Sequence, residues 1–368
     1  MSSGPTLLPT STTGAAPTRS RLARRSPTAL VTGVLSVVLA AVVALLPAPY
    51  AIYAPGPVTN VLGAVAGKQL ISVSGRQTYP AHGTLDMTTV EVFGGPGRRL
   101  SLAQVLRSWV SRSRAVVPVE QVFPPGQSSQ QVKSENAAEM SQSQQDATAA
   151  GLRELGLTVP ENIRVASVSK DVPAAAVLRA GDVVTALNGR KVEDSGALRS
   201  AIAALPPAAE VTVQVRRDGS TRQLTTTTAS QDGRTVLGVG LDPSYEFPVD
   251  VRFATKDVGG PSAGMMFALG IYDLLTPGEL TGGQRIAGTG TIDGAGRVGP
   301  IGGIAQKLVG ARAAGATWFL APAANCPEVV GNVPDGLRVV RTASLHESRL
   351  AVQAIAAGRA ASLPTCTP

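Results

Sequence analysis

Val258-Gly259-Gly260-Pro261-Ser262-Ala263-Gly264-Met265-Met266-Phe267-Ala268-Leu269-Gly270-Ile271-Tyr272 is the stretch on which the reading of this chain turns. Two glycines and a proline stop an extended run, and the unbroken apolar residues after Gly264 predict a buried helix. Ser262 then falls in the helix's first turn. Unpaired backbone N–H groups and the positive end of the helix dipole favour a developing negative charge there. The same N–H groups can form an oxyanion hole for a serine nucleophile. A serine at this place is also the ordinary helix N-cap, and the stretch alone leaves both readings open.

Downstream, the spacing predicts a helix over Gly303 to Ala314, with Ile304, Lys307, Ala311 and Ala314 on one face. Lysine is scarce in this sequence, six residues among 33 basic ones, so a lysine among small apolar neighbours stands out. A desolvated amine loses its proton more easily and can then serve as a base towards a serine hydroxyl. A lysine at a helix edge can instead snorkel to water. Gly260-x-Ser262-x-Gly264 also fits a nucleophile elbow, with His346 as base and Asp293 or Asp335 as acid. Only 139 residues run from 230 to 368, short for the long alternating sheet that elbow needs.

The 368 residues allow two modest domains plus appendages. With 40 glycines, 27 prolines and only 4% aromatic residues, the composition suits short strands and turns. The net charge is +8, but Arg19, Arg21, Arg24 and Arg25 crowd one end, which points to membrane topology. No basic patch interleaved with aromatics follows, so no nucleic-acid partner is expected. Two histidines (His82, His346) and two cysteines (Cys326, Cys366) are too few for a zinc site of ordinary spacing, and no metal is expected. Gly63 to Gln69 is one residue short of a phosphate-binding loop and lacks its Ser/Thr, so no nucleotide or other cofactor is expected.

Taken in order, residues 1–25 are Ser/Thr/Pro/Arg-rich and read as a disordered basic tail. Ala29 to Leu46 is uncharged for eighteen residues, so 26–47 reads as a transmembrane helix with the arginines on the cytoplasmic side; a cleaved signal peptide is the alternative. Residues 48–133 read as β-rich, with Thr84 to Val92 alternating at period two and a short helix over Leu102 to Val110. A connecting helix, capped by Ser134, is expected over 134–154. Residues 155–229 form a small unit with strands at Ile163–Val168 and Val211–Arg216, a helix at Ser195–Leu205 and a tight turn at Asn188-Gly189. Residues 230–368 form the last unit, with a strand at Val249–Phe253 ahead of the serine loop.

Leu178-x-x-Gly181-Asp182-x-Val184 followed by Asn188-Gly189 resembles a PDZ domain. That resemblance implies binding of the C-terminal ends of other polypeptides along a sheet edge, with a carboxylate loop near Leu155-Gly156-Leu157. Gly260-Pro261-Ser262-Ala263-Gly264, Gly288-Thr289-Gly290 and Pro300-Ile301-Gly302-Gly303-Ile304-x-x-Lys307 together resemble the proteolytic domain of Lon proteases, from about Pro248 to Pro322. The resemblance implies Ser262 as nucleophile, Lys307 as general base and Thr289 as the residue orienting the lysine. Gly260, Pro261 and Ala263 would shape the serine loop. Thr291 stands where the family carries a glutamate, and Asp257 is near the acidic residue that precedes the family's serine.

The fold implied is an α/β (α+β) Lon-type proteolytic domain plus a mainly β PDZ domain and one N-terminal transmembrane helix. The sequence as a whole is similar to membrane-anchored, PDZ-containing Lon-like serine proteases of bacteria. That implies an extracytoplasmic, ATP-independent endopeptidase acting on unfolded or tailed proteins, since the family's ATPase half is missing. Outside the cytoplasm Cys326 and Cys366 would form a disulfide. Leu70 to Phe93 could supply strands to the protease sheet, leaving the PDZ domain as an insertion. A non-catalytic scaffold built on the PDZ domain is the remaining alternative.

Overall fold

The computed structural model describes residues 27–231, 233–255 and 258–367. The expected tail 1–25 and Asp257 lie outside the described residues. The first half contains α1 (Pro27–Leu45), β1 (Tyr50–Asn60), β2 (Ile71–Ser74), β3 (Thr84–Phe93), α2 (Leu102–Trp109), β4 (Ala115–Pro118) and α3 (Ser129–Glu154). A smaller unit follows: β5 (Glu161–Val168), β6 (Val183–Leu187), α4 (Ser195–Ala203), β7 (Glu210–Arg217), β8 (Ser220–Thr227) and β9 (Val239–Tyr245). The last part holds β10 (Asp250–Phe253), α5 (Gly264–Leu274), β11 (Arg285–Gly288), α6 (Ile304–Ala313), β14, β15 and α7. Between β11 and α6 stand two short strands, β12 (Thr291–Ile292) and β13 (Val298–Gly299); β14 is Trp318–Pro322, β15 Arg338–Thr342 and α7 Leu345–Ala356.

One six-stranded sheet has the order β15-β14-β11-β3-β1-β4. Its first four strands are parallel, and β1 and β4 add antiparallel pairs. Strands from before residue 120 and from after residue 284 thus share one sheet, and strands of the expected β-rich region over 48–133 complete it. A second six-stranded sheet, β8-β7-β6-β5-β9 with the short strand Arg190–Lys191 beside β6, interrupts it in sequence. It reaches Tyr245, sixteen residues past the expected boundary at 229, because β9 pairs along the whole of β5.

Met265, Met266, Phe267, Ala268, Leu269 and Ile271 are all fully buried, so α5 is an internal helix apolar on every side. α3 crosses it at Gly151, where a Cβ would lie 3.0 Å from Ala268 O. α3 begins at Ser129, not at Ser134. Ser128 Oγ accepts from Gln131 N at 3.2 Å, while Gln131 Oε1 accepts from Ser128 N at 2.8 Å, a complete capping box.

The apolar run at the other end forms α1, whose 19 residues rise ~28 Å, against ~30 Å of bilayer hydrocarbon. It stops one residue short of the expected Leu46. Pro47 disfavours helical backbone at Leu46, whose carbonyl accepts instead from Leu102 N at 3.0 Å. Among the described residues no helix is long and apolar enough to cross a membrane.

Candidate active site

Ser262 stands two residues ahead of α5, not in its first turn. The N-cap is Ala263, and this helix has no side-chain cap, so the serine hydroxyl is free of the capping task. Gly260 has φ 82°, a left-handed conformation that favours glycine. A Cβ on Gly259 would lie 2.8 Å from Asn136 Cβ. The loop is therefore glycine-rich because α3 presses on it. Gly260 N donates to Asn136 O at 3.0 Å, and Ser143 Oγ donates to Pro261 O at 3.0 Å. From the other side, Gly290 N and Thr289 Oγ1 both donate to Ser262 O at 2.9 Å. The N–H groups of Ser262 and Ala263 have no partner among the described residues.

Lys307 is 1% exposed although it carries an amine. Gly303, at φ 69°, starts α6 and lets its first turn close against Val90 of β3. The lysine side chain then points into the sheet. Its Nζ donates to Ser262 Oγ at 2.8 Å, to Thr289 Oγ1 at 2.9 Å and to Thr88 O at 3.1 Å. All three partners are uncharged. Burial without a counter-charge pushes the amine down to about 7 from its ordinary 10.5.

The directions of these bonds are constrained. Thr289 Oγ1 spends its hydrogen on Ser262 O, so towards Lys307 it acts as an acceptor. Thr88 O is a carbonyl and only accepts. A neutral amine satisfies both with its two hydrogens and turns its lone pair to the remaining partner, Ser262 Oγ.

A cleft of about 250 Å³ opens on this serine, lined by Pro57, Thr59, Thr88, Val90, Met140 and Val258 among others. The residues of the elbow alternative are elsewhere. His346 Nδ1 is 2.9 Å from Glu154 Oε1, Asp293 is paired with Arg297, and Asp335 offers its backbone carbonyl to Arg312. Thr291, in the place of the family's glutamate, sits in β12 with its hydroxyl beside Gly299.

Two family models match the sequence. Residues 252–350 match the Lon protease (S16) C-terminal proteolytic domain. That part of the chain is similar to a Lon-type serine peptidase domain. Residues 130–228 match the PDZ domain model. Lon protease 2 of Syntrophobacter fumaroxidans is 31% identical over 134 residues, which is 36% of this chain and 16% of that protein. Lon protease 1 of Bacillus subtilis is 30% identical over 116 residues, 30% of this chain and 15% of that protein. The matched stretch thus spans about a sixth of the length of those relatives. The PDZ domain of an SdrC-like protein from Listeria monocytogenes is 27% identical, covering 22% of this chain and 86% of that one, with a TM-score of 0.21; it adds nothing to the PDZ family match.

The PDZ carboxylate loop expected at Leu155-Gly156-Leu157 is a helix terminus. Gly156 has φ 79°, its N–H donates to Arg153 O, and Leu157 N donates to Leu152 O, so these amides close α3. Leu155 and Leu157 pack against the Lon-type core. Cys326 and Cys366 are joined by a disulfide. The residue that sequence reasoning missed is Thr88, 219 positions from Lys307. The alternation of Thr84 to Val92 announced a strand but carried no signal of which strand it would join.

Proposed function

We propose that the protein is an ATP-independent serine endopeptidase in which Ser262 is the nucleophile and Lys307 the general base. The observation that carries this reading is the 2.8 Å approach of Lys307 Nζ to Ser262 Oγ, at an amine whose other two hydrogens have acceptors. The neutral amine takes the hydroxyl proton as Oγ attacks a peptide carbonyl carbon. The N–H groups of Ser262 and Ala263 lie where the resulting oxyanion would form, at the positive end of α5. The ammonium then returns its proton to the departing amine nitrogen, leaving an acyl-serine. Water, deprotonated by the same lysine, releases the second product. Thr289 holds the amine by accepting one hydrogen and holds the serine loop by donating to Ser262 O.

ATP independence is supported by the lack of a phosphate-binding loop in these residues. Gly67 turns a two-strand hairpin, Ala64–Val65 with Lys68–Gln69, instead of opening a helix. We assign the PDZ domain to recruitment of unfolded or C-terminally tailed proteins by strand addition at the outer edge of β9. β9 leads through β10 directly into the serine loop.

We propose that the protein sits at the bacterial cell membrane with its bulk outside the cytoplasm, attached through α1, although α1 by itself falls short of a full span. α1 exposes Leu30, Val34, Leu35, Val38, Leu39 and Val42 around its circumference, and arginines precede it. The Cys326–Cys366 bridge suits an oxidising compartment.

The test is digestion of an unstructured protein by the purified full-length protein, with and without ATP. Cleavage that needs no ATP and vanishes in Ser262→Ala is expected; ATP-dependent cleavage, or cleavage by Ser262→Ala, would overturn the reading.

A further inference from the structure

Between Gly94 and Pro118 the sequence holds five arginines, Arg98, Arg99, Arg107, Arg112 and Arg114, and no acidic residue. All five are exposed. None belongs to an ion pair among the described residues. They surround α2. That helix buries Val105 and Ser108 against a small core that includes Ala48, Ile52 and Leu100. Its outer face is apolar: Leu106 is 49% exposed, Trp109 63% and Val110 84%. These three positions are three and four residues apart and share one side of a helix. Single exposed apolar residues need no explanation, but a group containing tryptophan on a helix that carries Arg107 and is flanked in sequence by Arg98, Arg99, Arg112 and Arg114 does.

The position of this face is fixed relative to α1. Leu102 N, at the start of α2, donates to Leu46 O at 3.0 Å. Pro47 pairs with Ser101 and Ala48 with Leu100 in a short antiparallel ladder. α2 therefore begins at the level where the apolar helix ends. A hollow of about 840 Å³ lies alongside, lined by Pro47, Tyr50, Arg98, Arg99, Val119 and Phe123 among others.

We propose that α2 and its arginines form a second membrane contact, which seats the outer domain against an anionic bilayer surface. Leu106, Trp109 and Val110 enter the boundary between headgroups and acyl chains, where amphipathic helices and tryptophan rings settle. The guanidinium groups bind lipid phosphates from above. Charge complementarity and continuity with α1 choose this occupant over a protein partner. The inference rests on the reading that α1 is embedded in the membrane.

Two single-tryptophan variants of the full-length protein test it in vesicles. One keeps Trp109 (Trp318→Phe). The other carries a reporter in α1 (Val38→Trp with Trp109→Phe and Trp318→Phe). Both are reconstituted in phosphatidylcholine, with or without phosphatidylglycerol, and quenched by brominated acyl chains. The expected result is quenching of the α1 reporter in both lipids. Trp109 should be quenched several-fold more strongly with phosphatidylglycerol, and that excess should fall on adding salt and disappear in Arg98→Gln/Arg99→Gln/Arg107→Gln. Quenching of the α1 reporter without any quenching of Trp109 would overturn the inference and leave the anchor standing. Equal quenching of Trp109 in both lipids would overturn the role of the arginines. If neither tryptophan were quenched, the anchor reading and this inference would fall together.

Discussion

Lys307 and Asp182 are each 1% exposed, yet burial leaves them in opposite states. Asp182, in the PDZ domain, faces Arg217, which donates Nε to Oδ1 at 2.6 Å and Nη2 to Oδ2 at 2.7 Å. Arg179 N adds a third bond at 2.9 Å. Burial works against the carboxylate's charge, but these bonds outweigh it and hold Asp182 below its ordinary range. Lys307 has the same burial and the same number of hydrogen bonds, but no counter-charge. Its amine is pushed down to about 7. A buried charge with a partner is scaffolding. A buried charge without one becomes a neutral group at working pH, and here that group is aimed at a serine hydroxyl.

The comparison breaks most visibly by restoring a permanent charge in the site. Lys307→Arg should reduce kcat/KM for a peptide by at least ~1,000-fold, because a guanidinium keeps its proton and cannot act as a base. Lys307→Ala should be about as damaging; near-wild-type turnover in either variant would remove Lys307 from the base role.

Removing the amine should also stabilise the fold. In Lys307→Met the unfavourable buried site is gone, and chemical denaturation at pH 6 should give a gain on the order of a few kcal/mol. The sign follows from linkage. The folded amine titrates below the unfolded one, so the penalty is full below about 7 and fades as pH rises towards the ordinary value. A gain that grew with pH would contradict this.

The partnered charge should behave in the opposite sense. Asp182→Asn leaves Arg217 without its counter-ion and should cost about 2–3 kcal/mol, less than a wholly interior pair because Arg217 is 13% exposed. The wild-type contribution of Asp182 should be complete above ~4, the ordinary aspartate value, and be lost as pH falls through its depressed folded value. Thermal melts of both variants between pH 3 and pH 9 separate the two cases.

A finer cut is Thr289→Val, which removes one acceptor from Lys307 Nζ and one donor from Ser262 O. We expect a kcat loss of about 10- to 100-fold, with KM little changed and the inflection at about 7 shifted. A uniform loss traceable to unfolding would make Thr289 merely structural. His346→Ala should change kcat/KM by less than about two-fold, since its ring pairs with Glu154 on the surface. A large loss there would revive the elbow alternative.

The serine loop, the lysine helix and the PDZ turn were legible because each is carried by short-range pattern: glycines where φ is positive, a lysine at helical spacing among apolar residues, a Gly-Asp turn. Pairing over long range was legible only coarsely: Leu70 to Phe93 could be read as strands of the protease sheet, but not beside which neighbour. Nothing in Thr84 to Val92 says that this strand joins β11 and hands Thr88 O to a lysine 219 residues away. β9 was missed because Pro243 and Gly240 weaken its strand pattern, and only its ladder with β5 makes it a strand. Leu155-Gly156-Leu157 serves as the C-terminal cap of α3, a common place for a glycine of positive φ.

The proposed chemistry requires Lys307 to be a neutral amine when Ser262 reacts. The pH dependence of kcat/KM for a short peptide, measured from pH 5 to pH 10 on the full-length protein, tests it most directly. Activity should rise through an inflection at about 7 and then stay level. A profile that climbs only near the ordinary lysine value, or one that is flat below pH 7, would contradict it.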